Sequence, residues 1–432
     1  FEIHRIKKVL IISKDNQSIS EIALSALLNG IVFCIVDDDI KQPRFDAIER
    51  CFEPDYIFID SDSPVNTHTT YSFVVKNSNK SILSSLFSKK EINTNYPNLL
   101  DSLDSRTPNI HHKEHCAYVI FTSGTTAEPK GVQISHLALL SHLSTLSNIY
   151  GYSENSHIFN SLKVSHADGL VQGPLLAAFS GGTWSSMGKF EITKIESYFD
   201  YIVANDITHY ITVPVVLALI FKYAADDEVF SSERFNCVIS TGGHLPAQLW
   251  QDFELKYKVI ISNLYGLSET CTGGVFSGLD KIEKRYGTIG FPVDMEFSIG
   301  NPEENEKLTE GVLWLKGDNI MDGYLNNEIE TKNILKAKWL NTGDIARLNR
   351  NGSLSIVGRE KDLINAGGFA VYPQEINEAL ISHPSIQNAY TSSRNDELYS
   401  EYLVSLVEGD KITEDEVITY CREILEEHKI PR

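Results

Sequence analysis

The chain has 432 residues, 42% of them hydrophobic and 22% charged, a globular composition long enough for two or three domains. Its 58 acidic residues outnumber 38 basic ones, giving a net charge of −20. That balance argues against a nucleic-acid or anionic-membrane partner, though a local cluster of amides and cations can still hold a nucleotide. Cys34, Cys51, Cys116, Cys237, Cys271 and Cys421 show neither CxxC nor zinc spacing, so plain thiols in a cytoplasmic compartment are expected. No signal peptide or transmembrane segment is expected: the apolar run ITVPVVLALIF is too short to span a bilayer and contains Pro214.

In chain order, KVLIIS reads as a strand, SISEIALSALLNG as an amphipathic helix closed by Gly30, and IVFCIV as a second strand. QPRFDAIERCF is a helix with proline near its start, followed by the strand YIFID. This alternation predicts a parallel sheet covered on both faces. Residues 76–116 are polar and read as a surface excursion. Alternation resumes with CAYVIF, HLALLSHLSTLSNIYG, FNCVIST, PAQLWQDFELKY and KVIISNLYG. From Gly287 to Ile356 the segments shorten around Gly and Asn turns, which predicts antiparallel β structure and a small barrel. Beyond GREKDL, helical PQEINEALISH and TEDEVITYCREILEEHK surround EYLVSLVEG, a small α+β unit.

The stretch YVIFTSGTTAEPKGVQISH, Tyr118 to His136, carries the first chemical signal. Small and hydroxylated residues directly after a strand can turn several backbone N–H groups toward one point, and such a nest binds phosphate. Lys130 adds positive charge. The spacing is not that of a Walker loop, and a Ser/Thr/Gly surface loop is the plain alternative.

This stretch resembles the phosphate loop of the adenylate-forming superfamily, which includes acyl-CoA synthetases, peptide-synthetase adenylation domains and luciferases. The family pattern is Thr-Ser-Gly-Thr-Thr-Gly-x-Pro-Lys-Gly, and Ala127 stands where its second glycine is usual. NLYGLSET resembles the Tyr-Gly-x-Thr-Glu element with Ser268 in place of Thr. LNTGDIA resembles the Thr-Gly-Asp element, and IVGREKDLINAGGFAVYPQEIN the hinge and glycine element. SLKVSHADGL, HYITVPVVLALI, STGGHLP and GVLWLKGDNIMDGYLN also fit, so the resemblance runs from about Lys7 to Arg432.

The resemblance implies an α/β fold. A large N-terminal domain, residues 1–358, would stack α/β sheets and add a small β-barrel-like part. A small mobile α+β C-terminal domain, residues 359–432, would follow, with its hinge near Lys361. It implies an enzyme that uses ATP and Mg²⁺ to activate a small carboxylic acid as an acyl-adenylate. The acyl group would then pass to the thiol of CoA or of carrier-protein phosphopantetheine. Thr122, Ser123, Gly124, Thr125, Thr126 and Lys130 would hold the β/γ-phosphates. Glu269 would coordinate Mg²⁺, and Ser268 would donate to the α-phosphate. Tyr265 would stack on adenine, with Gly242, Gly243 and Gly266 allowing close backbone approach. Asp344 would accept from the ribose hydroxyls beside Arg359. His166, Asp168, Val213, His244 and Gly266 would line the acid pocket. Gly367 and Gly368 would line the thiol tunnel.

Asp168 falls near the position where amino-acid-activating members anchor an amine; its plain alternative is a helix N-cap. The chain ends at EEHKIPR, before the family's Leu-Pro-x-Thr-x-x-Gly-Lys stretch, so the C-terminal domain is expected to be truncated before the usual catalytic lysine. An amino-acid adenylating enzyme that loads a carrier protein and a non-catalytic nucleotide or acyl-CoA binder remain the alternatives.

Overall fold

The computed structural model describes residues 6–60, 62–69, 72–75, 115–122, 129–188, 190–225, 228–279, 284–304, 308–366, 368–396 and 400–431. Most of the surface excursion read from residues 76–116 lies outside this set, as do Ser123, Gly124, Thr125, Thr126 and Gly367.

Two seven-stranded sheets form the bulk of the fold. In the first, the strands Lys8–Ile12, Val32–Ile35, Tyr56–Asp60, Ser72–Val75 and Cys116–Thr122 run parallel. Lys130–Ser135 then turns back antiparallel to Cys116–Thr122, and Gly323–Tyr324 extends that edge. The second sheet has five parallel strands, Thr183–Ser185, His157–Asn160, His209–Thr212, Cys237–Ser240 and Ile261–Tyr265. Two short antiparallel strands, Val275–Ser277 and Phe291–Pro292, close it off. Parallel strands are covered on both faces, so their sequences read as continuous apolar runs.

The layers follow from which residues each helix turns inward. Ile19, Ala23 and Ala26 of helix Asn16–Leu28 and Leu139, Leu143 and Leu146 of helix His136–Tyr150 fill the space between the two sheets. Asp15 caps the first helix by accepting from Gln17 N and Ser18 N. Ser135 caps the second, and Gly151 ends it at φ 73°. On the far side of the second sheet, helix Ala247–Tyr257 buries Trp250, Phe253 and Tyr257, spaced three and four apart on one face. Helix Gln42–Phe52 covers the far side of the first sheet with Phe45, Ile48 and Phe52.

The expected barrel-like part is a five-stranded antiparallel sheet. Strand Trp339–Leu348 is long enough to carry Glu310–Gly317 on one edge and, on the other, first Leu335–Lys336 and then Leu354–Arg359. Met295–Ile299 extends the Glu310–Gly317 side. A bridge between Gly290 and Leu354 ties the edge strand Leu354–Arg359 back to the segment that leads into Met295–Ile299. After residue 359, a hairpin of Ile386–Asp396 with Ser400–Gly409 packs on helices Pro373–Ile381 and Glu414–Ile424 around Ile376, Leu380, Leu403 and Cys421. The box Thr413–Glu416 caps the last of these helices.

Candidate active site

The carboxyl ends of the parallel strands, where open α/β sheets bind ligands, carry most of the candidate residues. They fall into two polar clusters and one buried group around Asp168.

The first cluster centres on Asp344, which is 3% exposed. The Tyr265 hydroxyl, at the end of Ile261–Tyr265, donates to Asp344 Oδ2 at 2.6 Å. Arg359, opposite Asp344 in the antiparallel ladder, places Nε 3.0 Å from Oδ1. The sequence Asn341-Thr342-Gly343 turns the strand locally: Asn341 Oδ1 accepts from Gly343 N at 2.8 Å and Thr342 Oγ1 from Asp344 N at 3.1 Å. Burial raises the Asp344 carboxyl, opposed by the Tyr265 hydrogen bond and the Arg359 charge. Burial and the Asp344 charge push the Tyr265 phenol well above its ordinary value, so it stays a donor. The result is a fixed, shielded acceptor, suited to vicinal hydroxyls.

The second cluster joins Lys130 and Glu269 through Tyr324, with Glu330 against Lys130, and sequence reasoning singles out neither Tyr324 nor Glu330. Thr122 and Lys130 face each other across the antiparallel pair. Arg44 donates to the Thr122 carbonyl at 2.9 Å. Lys130 Nζ lies 2.8 Å from Glu330 Oε2 and 5.5 Å over the Tyr324 ring. The Tyr324 hydroxyl donates to Glu269 Oε1 at 2.7 Å. Glu269 sits in the tight turn Ser268–Thr270, which Ser268 opens and Cys271 leaves at φ 65°. That turn is bolted to the Gly317–Tyr324 loop: Met321 N donates to the Glu269 carbonyl at 2.9 Å, and Asn319 Nδ2 donates to the Thr270 and Gly273 carbonyls. Tyr324 lies within the GVLWLKGDNIMDGYLN motif. Glu330 carries no pattern of its own.

A third group gathers Asp168, Val213, Thr241 and Gly242. A Cβ on Gly242, whose φ is +70°, would lie 3.6 Å from Val213 Cγ1 and 3.8 Å from Asp168 Oδ2. Gly243 packs beside Pro214. Asp168 is 6% exposed, and its Oδ1 accepts from Thr241 Oγ1 at 2.9 Å and Gln172 Nε2 at 2.7 Å. The N-cap alternative for Asp168 is not met: His166 holds that position before helix Ala167–Leu170, and Asp168 lies inside the helix. His166 is itself exposed, with Nδ1 3.6 Å from Asp168 Oδ2, a contact that raises its pKa. Gly266 is required by packing, because a Cβ there would fall 2.3 Å from Gly273 Cα.

Other expected residues sit differently. His209, which opens the HYITVPVVLALI stretch, is buried within the sheet and bonded to Thr208 and the Tyr150 carbonyl. His244 turns to the C-terminal part: its Nε2 is 3.2 Å from Glu378 Oε1, and Gln374 Nε2 is 3.3 Å from its Nδ1. Lys361 is exposed in the turn Glu360–Asp362. Gly368 has φ +91° with nothing within 4 Å of a notional Cβ.

Residues 3–325 match the model of the AMP-binding enzymes. The chain belongs to that family. This AMP-binding enzyme is 28% identical over 338 residues to the oxalate–CoA ligase of Arabidopsis thaliana, covering 76% of the chain and 65% of the relative. It is 30% identical over 329 residues to the probable CoA ligase CCL5 of Humulus lupulus, covering 74% and 59%. It is 28% identical over 319 residues to the 2-succinylbenzoate–CoA ligase of Bacillus subtilis (strain 168), covering 73% and 64%. The matched stretch thus spans less than two thirds of each of these relatives. The mixed α/β fold is that of ATP-bound MatB from Rhodopseudomonas palustris (TM-score 0.84, 19% identity, covering 99% of this chain and 84% of that one). It is also that of MenE from Bacillus subtilis in complex with the acyl-adenylate intermediate OSB-AMP (TM-score 0.79, 21% identity, covering 98% and 83%). Among the described residues no helix is long and apolar enough to cross a membrane, and no disulfide joins any of the six cysteines.

Proposed function

We propose that this AMP-binding enzyme activates a carboxylic acid with ATP, as an acyl-adenylate, and transfers the acyl group to the thiol of CoA. The observation that carries this reading is the pair of clusters, Asp344–Tyr265–Arg359 and Lys130–Tyr324–Glu269, set around the carboxyl ends of both sheets. Matches to chains named CoA ligases support the thiol acceptor.

In this reading the Asp344 carboxylate takes the ribose hydroxyls and Arg359 keeps it ionised. The Tyr265 ring, fixed by its hydroxyl, offers a face to adenine. Lys130 neutralises the β/γ-phosphates together with Thr122 and the following Ser123, Gly124, Thr125 and Thr126. Positioning the acid carboxylate in line with the α-phosphate and neutralising the leaving pyrophosphate supply most of the rate. Ser268 donates to the α-phosphate. The donor set around Glu269 fits Mg²⁺, which takes one or two carboxylates and completes its shell with phosphate oxygens and water; when bound, the ion shields phosphate charge.

Asp168, Val213, Thr241 and Gly242 bound the acid pocket, with His166 at its edge. Residues 359–432 act as a moving unit hinged near Lys361, with Gly367 and Gly368 giving the pantetheine arm room. A second reading, an acid bearing an amine and loaded onto a carrier protein, is favoured by Asp168 Oδ2, a buried carboxylate oxygen 3.8 Å from where a Gly242 Cβ would stand. Six plain thiols fit a reducing, cytoplasmic setting.

The test is product stoichiometry. Incubation with ATP, CoA, Mg²⁺ and the right acid is expected to give AMP, pyrophosphate and acyl-CoA in equal amounts. Release of ADP, or of AMP without thioester across a panel of fatty, aryl, hydroxy, dicarboxylic and amino acids, would contradict the reading.

A further inference from the structure

We propose that Glu330 is a resident counter-ion that holds Lys130 when no nucleotide is bound and yields it to the β/γ-phosphates of a triphosphate, so that Glu330 lowers triphosphate affinity. This rests on Lys130 being the phosphate-binding lysine of the proposed function.

Glu330 Oε2 is 2.8 Å from Lys130 Nζ, the two side chains being 38% and 27% exposed. The contact therefore opens to solvent on one side. The carboxylate is placed from its own helix: Glu330 N donates to Asn327 Oδ1 at 3.1 Å in the first turn of Glu328–Ile334. That turn is tied to the site, because Thr331 Oγ1 accepts from Tyr324 N at 2.9 Å and donates to the Asn327 carbonyl at 2.8 Å. Tyr324 lies under Lys130 and is bonded to Glu269.

The consequence is electrostatic. One ammonium cannot fully neutralise both a carboxylate and a triphosphate at the same spot. When phosphate takes Lys130, Glu330 stays nearby as an uncompensated like charge in a partly wet site. The Tyr324 face keeps Lys130 oriented through the exchange, since a cation is attracted to a ring at this distance. Removing the Glu330 charge therefore tightens triphosphate binding by about three- to tenfold, the scale of one like-charge contact near a protein surface. Ligands without β- and γ-phosphates gain nothing.

The experiment is isothermal titration of ATP, pyrophosphate and AMP into the full chain, with Mg²⁺ constant, for wild type, Glu330→Gln, Lys130→Met and the double variant. The expected result is a Kd for ATP and pyrophosphate about three- to tenfold lower in Glu330→Gln, an unchanged Kd for AMP, and a smaller gain from Glu330→Gln when Lys130 is already Met. Glu330→Ala is expected to match Glu330→Gln, because charge rather than shape is what matters. An unchanged ATP Kd in Glu330→Gln, while Lys130→Met weakens ATP, would overturn the counter-ion role alone. A weaker ATP Kd in Glu330→Gln would also overturn it, marking Glu330 as a support for Lys130 or for the metal. An ATP Kd untouched in Lys130→Met would overturn the phosphate reading of Lys130 itself, and this inference with it.

Discussion

The two polar clusters of this AMP-binding enzyme are built on opposite plans. At Asp344 the charge is buried, and its oxygens are held by Arg359 from the paired strand and by Tyr265 from another sheet. At Lys130 the charges are half-exposed and cancel each other through a long, flexible ammonium. The first plan suits an end of the ligand that is the same in ATP, AMP and the adenylate. The second suits an end that must be gripped and then released, since pyrophosphate leaves part-way through the proposed reaction. Preorganisation belongs where nothing changes, and exchangeable pairing where something must depart.

Replacements can break that contrast. Asp344→Asn removes two charge-assisted hydrogen bonds, each worth about 1.5–3 kcal/mol, and is expected to raise the Kd for ATP and AMP alike by about a hundredfold in titration calorimetry. An effect on ATP alone would put Asp344 at the phosphate end. Glu269→Gln is expected to lower the turnover of acid activation by about a hundredfold, within the range for losing one transition-state partner. Its unfolding midpoint should be nearly unchanged, because among the described residues the Glu269 carboxylate shares only the Tyr324 hydroxyl. Tyr324→Phe deletes that single hydrogen bond, about 1 kcal/mol, and should cost about fivefold in the same assay. His244→Ala is expected to have the smallest effect. It releases the turn after Gly242 and Gly243 from Glu378 and Gln374, and should shift the ratio of adenylate formation to thioester formation about twofold without altering ATP affinity. Single-turnover rates of the two steps measure it.

A pH prediction concerns the frame behind both clusters. His142, bonded to Thr272 Oγ1, and His209, bonded to Thr208, are buried, and burial lowers each pKa from 6.5 to about 4. The unfolded chain therefore binds more protons than the folded one between about pH 6.5 and 4, and stability falls as pH drops through that window. Each tenfold difference in proton affinity between the two states corresponds to about 1.36 kcal/mol, so the loss at pH 5 relative to pH 7.5 is about 2 kcal/mol per histidine. Urea melts of wild type and His209→Asn at the two pH values check this. The variant should lose about half as much on acidification as wild type.

Much of the architecture is legible in the sequence because it follows simple periodicities. Apolar runs such as KVLII and CVIS form central parallel strands, and the Trp250, Phe253, Tyr257 spacing forms a buried helix face. The antiparallel part is legible from its Gly and Asn turns, but its pairing is not, because one ten-residue strand, Trp339–Leu348, takes partners in succession. The Asp344–Tyr265 contact spans 79 residues and comes from two different sheets, so motifs give its members but not their bond. Tyr324 and Glu330 escape sequence reasoning for the same reason: their meaning lies in contact with Lys130, some two hundred positions earlier. The pocket role expected of His244 follows from its neighbours in STGGHLP. Its actual rotation toward helix Pro373–Ile381 depends on a docking that no local pattern encodes.

The most direct measurement of the central claim is carboxylate-dependent ATP–pyrophosphate exchange by wild type, Lys130→Met and Asp344→Asn across the acid panel. The account predicts exchange by wild type with one class of acid and a fall of at least about tenfold in both variants, through different Kd patterns. It would be contradicted if a folded, ATP-binding wild type exchanged with no acid in the panel, or if exchange proceeded undiminished in both variants.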